Sequence, residues 1–184
     1  MESSALIQTD RLLLRSWESR DCEPFARLNS DPRVMEFMPA RLSRAESDLL
    51  IERIERHFRA HGFGLYAAEL REEHRFIGFV GLALPTFDAP FTPCVEIGWM
   101  LCAEYWGSGL ATEGASAVVR HAFEVLGLDA LVSFTVPANV RSRRVMEKIG
   151  MTHSPSDDFD HPSLGKGHPL RRHVLYRLRR EPKM

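Results

Sequence analysis

Cysteine is scarce in this chain: Cys22, Cys94 and Cys102 are the only three, an odd number without metal-ligand spacing. Neither a disulfide framework nor a zinc cluster is built that way, so the three read as reduced thiols. No run of about 18 apolar residues occurs, which argues against a membrane-spanning helix. Met1-Glu2-Ser3-Ser4 opens no apolar leader, and the expectation is a cytoplasmic protein that is neither exported nor held in a membrane. Net charge is also nearly absent: 24 Lys and Arg against 25 Asp and Glu leave −1, so no global field draws nucleic acid, and no nucleic-acid partner is expected. The longest basic cluster, Arg171-Arg172 followed by Arg177, Arg179, Arg180 and Lys183, reads as a solvated strand face and tail. Repeats and low-complexity tracts are missing too.

What is present is an ordinary globular composition, 44% hydrophobic and 27% charged over 184 residues, enough for a single domain spanning 1–184 with one well-buried core. Leu6 to Trp17 alternates as a first strand, and Asp21 is placed to cap a short helix that ends near Asn29-Ser30-Asp31-Pro32. Ser43-Arg44-Ala45-Glu46 is a capping box, and the helix after it carries Leu49, Leu50, Ile54 and Phe58 at helical spacing until Gly62. The period then changes. Phe63 to Leu70, Phe76 to Leu84 and Val95 to Leu101 read as strands, which with the first make an antiparallel meander. A helix with an apolar stripe from Ala115 to Leu126 and a short buried strand, Leu131 to Val136, make one parallel crossover. A helix from Val140 to Ile149, a long polar loop from Ser154 to Leu170 and an edge strand, His173 to Leu178, complete the reading. The class is α+β, a mostly antiparallel central sheet with one parallel βαβ unit and helices on both faces.

The most informative stretch is Trp106-Gly107-Ser108-Gly109-Leu110-Ala111-Thr112-Glu113, which follows a strand and opens a helix. Two glycines and an alanine keep side chains away from the free N–H groups of the first helical turn, where the helix dipole is positive, and that makes a cradle for a pyrophosphate. The spacing is neither Gly-x-x-x-x-Gly-Lys-Ser/Thr nor Gly-x-Gly-x-x-Gly after a first strand. A turn of this kind at mid-chain, after a meander, resembles the GNAT acetyltransferases, whose motif reads Gln/Arg-x-x-Gly-x-Gly/Ala. Trp106 stands at the Gln/Arg position, which removes a polar side chain but keeps every backbone N–H. Asn139-Val140-Arg141-Ser142 and Met146-Glu147-Lys148-Ile149-Gly150-Met151 resemble the family's Asn-x-x-Ser and Lys-x-Gly-Phe/Met signature. Thr9-Asp10-Arg11-Leu12-Leu13-Leu14-Arg15 and Gly-Leu-Ala-Thr-Glu at the turn are similar to the ribosomal-protein N-terminal acetyltransferase (RimJ/RimL-like) branch, which also holds enzymes acting on small amines.

The resemblance implies a splayed strand pair and an acetyl-CoA-dependent N-acetyltransferase in which an amine attacks the thioester directly. It assigns the backbone N–H of Met100 to the thioester carbonyl, backbone groups of Leu101 and Cys102 and the side chain of Asn139 to the pantetheine arm, and Trp106 to Thr112 to the pyrophosphate. Glu96, four residues before Met100 and on the same strand face, is the candidate base; a salt-bridged or merely substrate-orienting carboxylate is the alternative. Ser142 is the candidate acid, or a pantetheine contact with no proton role, because Met146 occupies the position where many relatives carry a tyrosine. Phe37, Met38 and His161 are placed beside the acceptor, and Arg143 or Arg144 beside the 3′-phosphate. The acceptor is a peptide N-terminus or a small amine, the assembly a monomer or homodimer, and no metal is implied. A non-catalytic acyl-CoA-binding or regulatory module on the same fold is the alternative of a different class.

Overall fold

A computed structural model of the chain describes residues 7–181, so Leu6 and Lys183 of the sequence reading lie outside the described residues. The first strand is broken in two, β1 (Ile7–Gln8) and β2 (Leu12–Arg15), which pair antiparallel across a tight turn. Thr9 closes that turn: its backbone N–H donates to the Leu12 carbonyl at 2.9 Å and its hydroxyl accepts from the Leu12 N–H at 2.8 Å. Helix α1 (Cys22–Ser30) follows a 3-10 turn, Ser19–Asp21. Asp21 does not cap α1 with its side chain, as the sequence suggested; its carboxylate accepts from both terminal nitrogens of Arg15 at 2.7 and 2.9 Å and from the Glu18 N–H at 2.8 Å.

Helix α2 (Arg44–His61) begins on the expected capping box and ends at Gly62, whose φ of 75° supplies the left-handed residue that stops a helix. Its buried stripe is Ser47, Ile51 and Ile54, whereas Leu49 is 52% exposed and faces solvent. The meander is as read: β2, β3 (Leu65–Leu70), β4 (Arg75–Ala83) and β5 (Glu96–Leu101) pair antiparallel in sequence order. Helix α3 (Leu110–Glu124) then returns the chain to β6 (Ala130–Thr135), parallel to β5 through the single register pair Glu96–Val132.

After α4 (Val140–Lys148) the long loop is not structureless. It holds β7 (Thr152–His153) and β8 (Phe159–Asp160), both antiparallel to β9 (Arg172–Arg179). With β6 on its other side, β9 is an interior strand, so the edge strand expected near the C-terminus is filled by these two short pieces. Its basic face is paired rather than merely solvated: Arg177 meets Asp157, and Arg171 and Arg172 meet Asp160.

Two apolar layers cover the sheet. One, under α3, contains Leu12, Leu14, Val80, Ile97, Leu101 and Val118; the other, under α1 and α2, contains Trp17, Phe25, Leu28, Ile51 and Ile54. Strand alternation therefore turns Ile97, Trp99 and Leu101 toward α3, and Glu96, Met100 and Cys102 toward α1 and α2. No helix among the described residues is long and apolar enough to cross a membrane.

Candidate active site

The functional geometry starts where β5 and β6 part company. The Cys102 N–H donates to the Ile77 carbonyl of β4 at 2.8 Å, and the Val132 N–H donates to the Val95 carbonyl at 2.9 Å. Backbone groups alternate direction along a strand, so Glu96, Gly98 and Met100 hydrogen-bond toward β4, and Ile97, Trp99 and Leu101 point toward β6. Pairing with β6 stops after Val132, and the Trp99 and Leu101 N–H groups are left facing the gap. Met100, named from the sequence for its N–H, lies one residue out of phase: that group belongs to the ladder with β4.

A cavity of about 630 Å³ runs through this gap. On the α3 side it is floored by the turn from Trp106 to Thr112. Gly107 and Gly109 adopt φ of 77° and 84°, left-handed angles that bend strand into helix there. The first internal bond of the helix is donated by the Glu113 N–H to the Gly109 carbonyl at 3.0 Å, so the amides of Leu110, Ala111 and Thr112 stay free at the positive end of a 15-residue helix. The turn is clamped from a distance. Glu113 accepts from the Thr9 hydroxyl at 2.6 Å and from the backbone and side chain of Arg11 at 2.9 and 2.7 Å, and Arg11 also donates to the Ser108 carbonyl at 3.0 Å. These contacts give the Thr-Asp-Arg signature its physical reason. The Trp106 indole N–H donates to the Leu101 carbonyl at 2.9 Å, and the Arg141 guanidinium lies 4.2 Å above its ring while also meeting Glu36 at 3.1 Å.

Helix α4 supplies the second wall. Asn139 caps it, accepting from the Ser142 N–H at 3.2 Å, and its amide donates to the Thr135 hydroxyl at 3.0 Å, which ties the helix to β6. The Ser142 hydroxyl lines the cavity and has no hydrogen-bond partner among the described residues. Of the two basic candidates, Arg143 is spent on the Tyr176 hydroxyl and the Pro137 carbonyl. Arg144 lines the cavity, as does Lys148 one turn later. Met146 is buried in the core.

On the α1 and α2 side, Phe37 and Met38 line the cavity with Val34, Phe79 and Phe134. Glu96 lies among them, half-buried. No arginine, lysine or other donor of the described residues reaches its carboxylate, so the salt-bridged alternative does not arise among them. Desolvation pushes its carboxyl up to about 8, where it exchanges a proton near neutrality.

Besides Arg143, three predicted residues stand outside the cavity. Cys102 uses its N–H in the sheet and turns its side chain to a separate hollow under α1, and burial pushes its thiol up to about 11, which leaves it inert. The Ser108 hydroxyl folds back onto the Tyr105 carbonyl at 2.6 Å. The His161 ring stacks into an aromatic cluster, 4.4 Å from Phe87 and 5.2 Å from His173, with its Nδ1 accepting from the Ser163 N–H. Sequence reasoning missed Trp99, Phe134, Arg141 and Lys148. The i, i+4 step from Arg144 was the signal that pointed to Lys148.

A mostly antiparallel sheet, opened at one parallel strand pair above a helix N-terminus, defines the class. The Acetyltransferase (GNAT) domain matches residues 11–152. The chain belongs to the GNAT acetyltransferase family, and it is an acetyl-CoA-dependent acetyltransferase. It is 30% identical over 145 residues to the uncharacterized N-acetyltransferase YnaD of Bacillus subtilis, covering 79% of this chain and 81% of that one. An acetyltransferase from Agrobacterium tumefaciens superposes with a TM-score of 0.77 at 27% identity, over 98% and 97% of the two chains. RimL, a ribosomal-protein α-N-acetyltransferase solved with coenzyme A, shares the fold at a TM-score of 0.77 and 14% identity, over 95% and 98%.

Proposed function

We propose that the protein moves the acetyl group of acetyl-CoA directly to a primary amine, a peptide N-terminus or a small molecule, with Glu96 as the base. One observation carries the reading: an unpaired carboxyl lines the same cavity as two backbone N–H groups that face an open gap between strands. The pyrophosphate rests on the amides of Leu110, Ala111 and Thr112, with Arg144 and Lys148 near the 3′-phosphate. The pantetheine arm follows the gap between β5 and β6. The Trp99 N–H, in place of Met100, holds the thioester carbonyl, and Leu101 takes the neighbouring pantetheine amide.

The amine arrives from the α1 and α2 side and gives its proton to Glu96. Its nitrogen then bonds to the carbonyl carbon, the oxyanion gathers charge against the Trp99 N–H, and the C–S bond breaks. Ser142, on the opposite wall, delivers a proton to the departing thiolate and regains one through solvent as the acetylated nitrogen sheds its second proton, while Glu96 releases its own to solvent. Deprotonating an α-amine at pH 7 costs about 1.4 kcal/mol and a lysine about 4.6 kcal/mol, so a base near 8 suits the first acceptor better.

The test is thiol release from acetyl-CoA with peptides and small amines side by side, for the wild type and Glu96→Gln. Glu96→Gln is expected to lower kcat/KM at least tenfold above pH 8, with the loss shrinking at low pH, where the wild-type carboxyl is itself protonated, and to abolish the inflection near pH 8. Acetyl-CoA binding without thiol release to any amine would favour a non-catalytic acyl-CoA module instead.

A further inference from the structure

The walls of the cavity differ in kind on the two sides of the sheet. Toward α3 and α4 they are cationic and amide-rich, with Arg144, Lys148 and the free N–H groups of the glycine turn. Toward α1 and α2 they are apolar: Val34, Phe37, Met38, Leu65, Phe79 and Phe134 surround Glu96. Phe134 is itself the front of an aromatic cluster, with Phe159 5.5 Å and Phe87 5.8 Å behind it.

Charged groups around this apolar chamber are already committed. Arg33, the cation that lines it, donates to both carboxylate oxygens of Asp31, from Nε to Oδ1 at 3.1 Å and from Nη2 to Oδ2 at 2.6 Å. Arg141, at the mouth, is shared between Glu36 and the Trp106 ring. Arg177, on the same sheet face further along β9, is held by Asp157 at 2.7 Å. Glu96 is the one carboxyl in the lining of the cavity, and it has no partner among the described residues.

From this asymmetry we propose that the acceptor is a primary amine borne on an apolar, aromatic-sized group with no second charge. The inference rests on the reading of this chamber as the acceptor site. A free amino acid would place its carboxylate beside Glu96 with no uncommitted cation to meet it. A diamine would drive its second ammonium into a wall of phenylalanine and methionine, where nothing replaces its hydration. An amine on an apolar group matches both features: the nitrogen meets the one free carboxyl, and the remainder displaces water from Phe79 and Phe134. A small amine and a peptide with an apolar first residue offer this same chemistry.

The experiment is calorimetric titration of the CoA-saturated protein with 2-phenylethylamine, phenylalanine, phenylalanine amide and 1,4-diaminobutane. Phenylethylamine and phenylalanine amide are expected to bind at least tenfold more tightly than the other two. Phenylalanine and its amide differ in the carboxylate charge, so that pair isolates the missing cation. Phe134→Ala, at a partly exposed position, is expected to weaken phenylethylamine binding at least fivefold more than it weakens propylamine binding. Equal binding across the four, preference for phenylalanine or the diamine, or binding by none overturns the inference. A phenylalanine-initiated tripeptide tested alongside separates the two sources: tighter binding than the amide points to a peptide, and weaker binding to a small amine. Thiol release with the same amines and acetyl-CoA in place of CoA addresses the transfer reaction separately. Selective binding without release leaves the chamber's preference standing and overturns acetyl transfer.

Discussion

Two side chains divide the proton chemistry of the cavity, and their surroundings set them apart. Glu96 sits among apolar groups that disfavour its charge, so its carboxyl is lifted to about 8, and the wild-type rate should climb as pH passes through that value. Ser142 has an ordinary hydroxyl with no competing acceptor among the described residues, poised on the first turn of α4. Ser142→Ala is expected to reduce kcat several-fold with KM for acetyl-CoA unchanged, as steady-state kinetics would record. A rise in KM alone would make Ser142 a pantetheine contact instead. Asn139 shows why its motif is ambiguous in the sequence. It performs the structural task of capping α4, and the same geometry presents it to the cavity.

Elements are placed by buried charge as much as by apolar packing. Arg15, at the end of β2, is 4% exposed and pairs with Asp21 and Glu69 at 2.7 and 2.8 Å, both acids also buried. That triad pins the start of α1 to β2 and β3, and through α1 it positions the connector that carries Val34, Phe37 and Met38. Removing Arg15 leaves the buried Asp21 without a counter-charge among the described residues, while Glu69 keeps Arg20 at 2.8 Å. Arg15→Met is therefore expected to cost about 3–5 kcal/mol in urea denaturation. Burial works to raise the Glu69 carboxyl, but the hydrogen bond and charge of Arg15 outweigh it and hold the group below its usual range. Its contribution is present above the unfolded value of 4.5 and is lost as pH falls through the lowered one.

At the scale of the molecule, Glu96 works in the opposite sense. Its folded value of about 8 lies above the unfolded 4.5, so the folded protein holds that proton more tightly. The stability it confers is complete below pH 4.5 and declines as pH rises through about 8. Glu96→Gln removes the decline, so the variant's gain over wild type in denaturant midpoint should be larger at pH 8 than at pH 5. Much of the architecture was legible in the sequence because the responsible signals are local: the Ser43 capping box, Gly62 and the period change at Phe63 each act within a few residues. Three features were not legible. β7 and β8 form because β9 offers a partner far along the chain, and their polar residues carry no strand pattern of their own. The N–H phase of β5 was missed by one residue because it depends on where pairing with β6 stops. His161 was misplaced because its neighbours are phenylalanines from three separate segments.

The clamp on Glu113 joins the cofactor turn to residues 104 and 102 positions earlier in the chain. The loop is consequently tied down from outside, and its conformation is a property of the sheet's far corner rather than of the glycines alone. A helix-turn cassette cut from this site and grafted elsewhere would lose that shape. Ligand binding would in turn slow amide hydrogen exchange in the Thr9–Arg11 turn, although no ligand touches it.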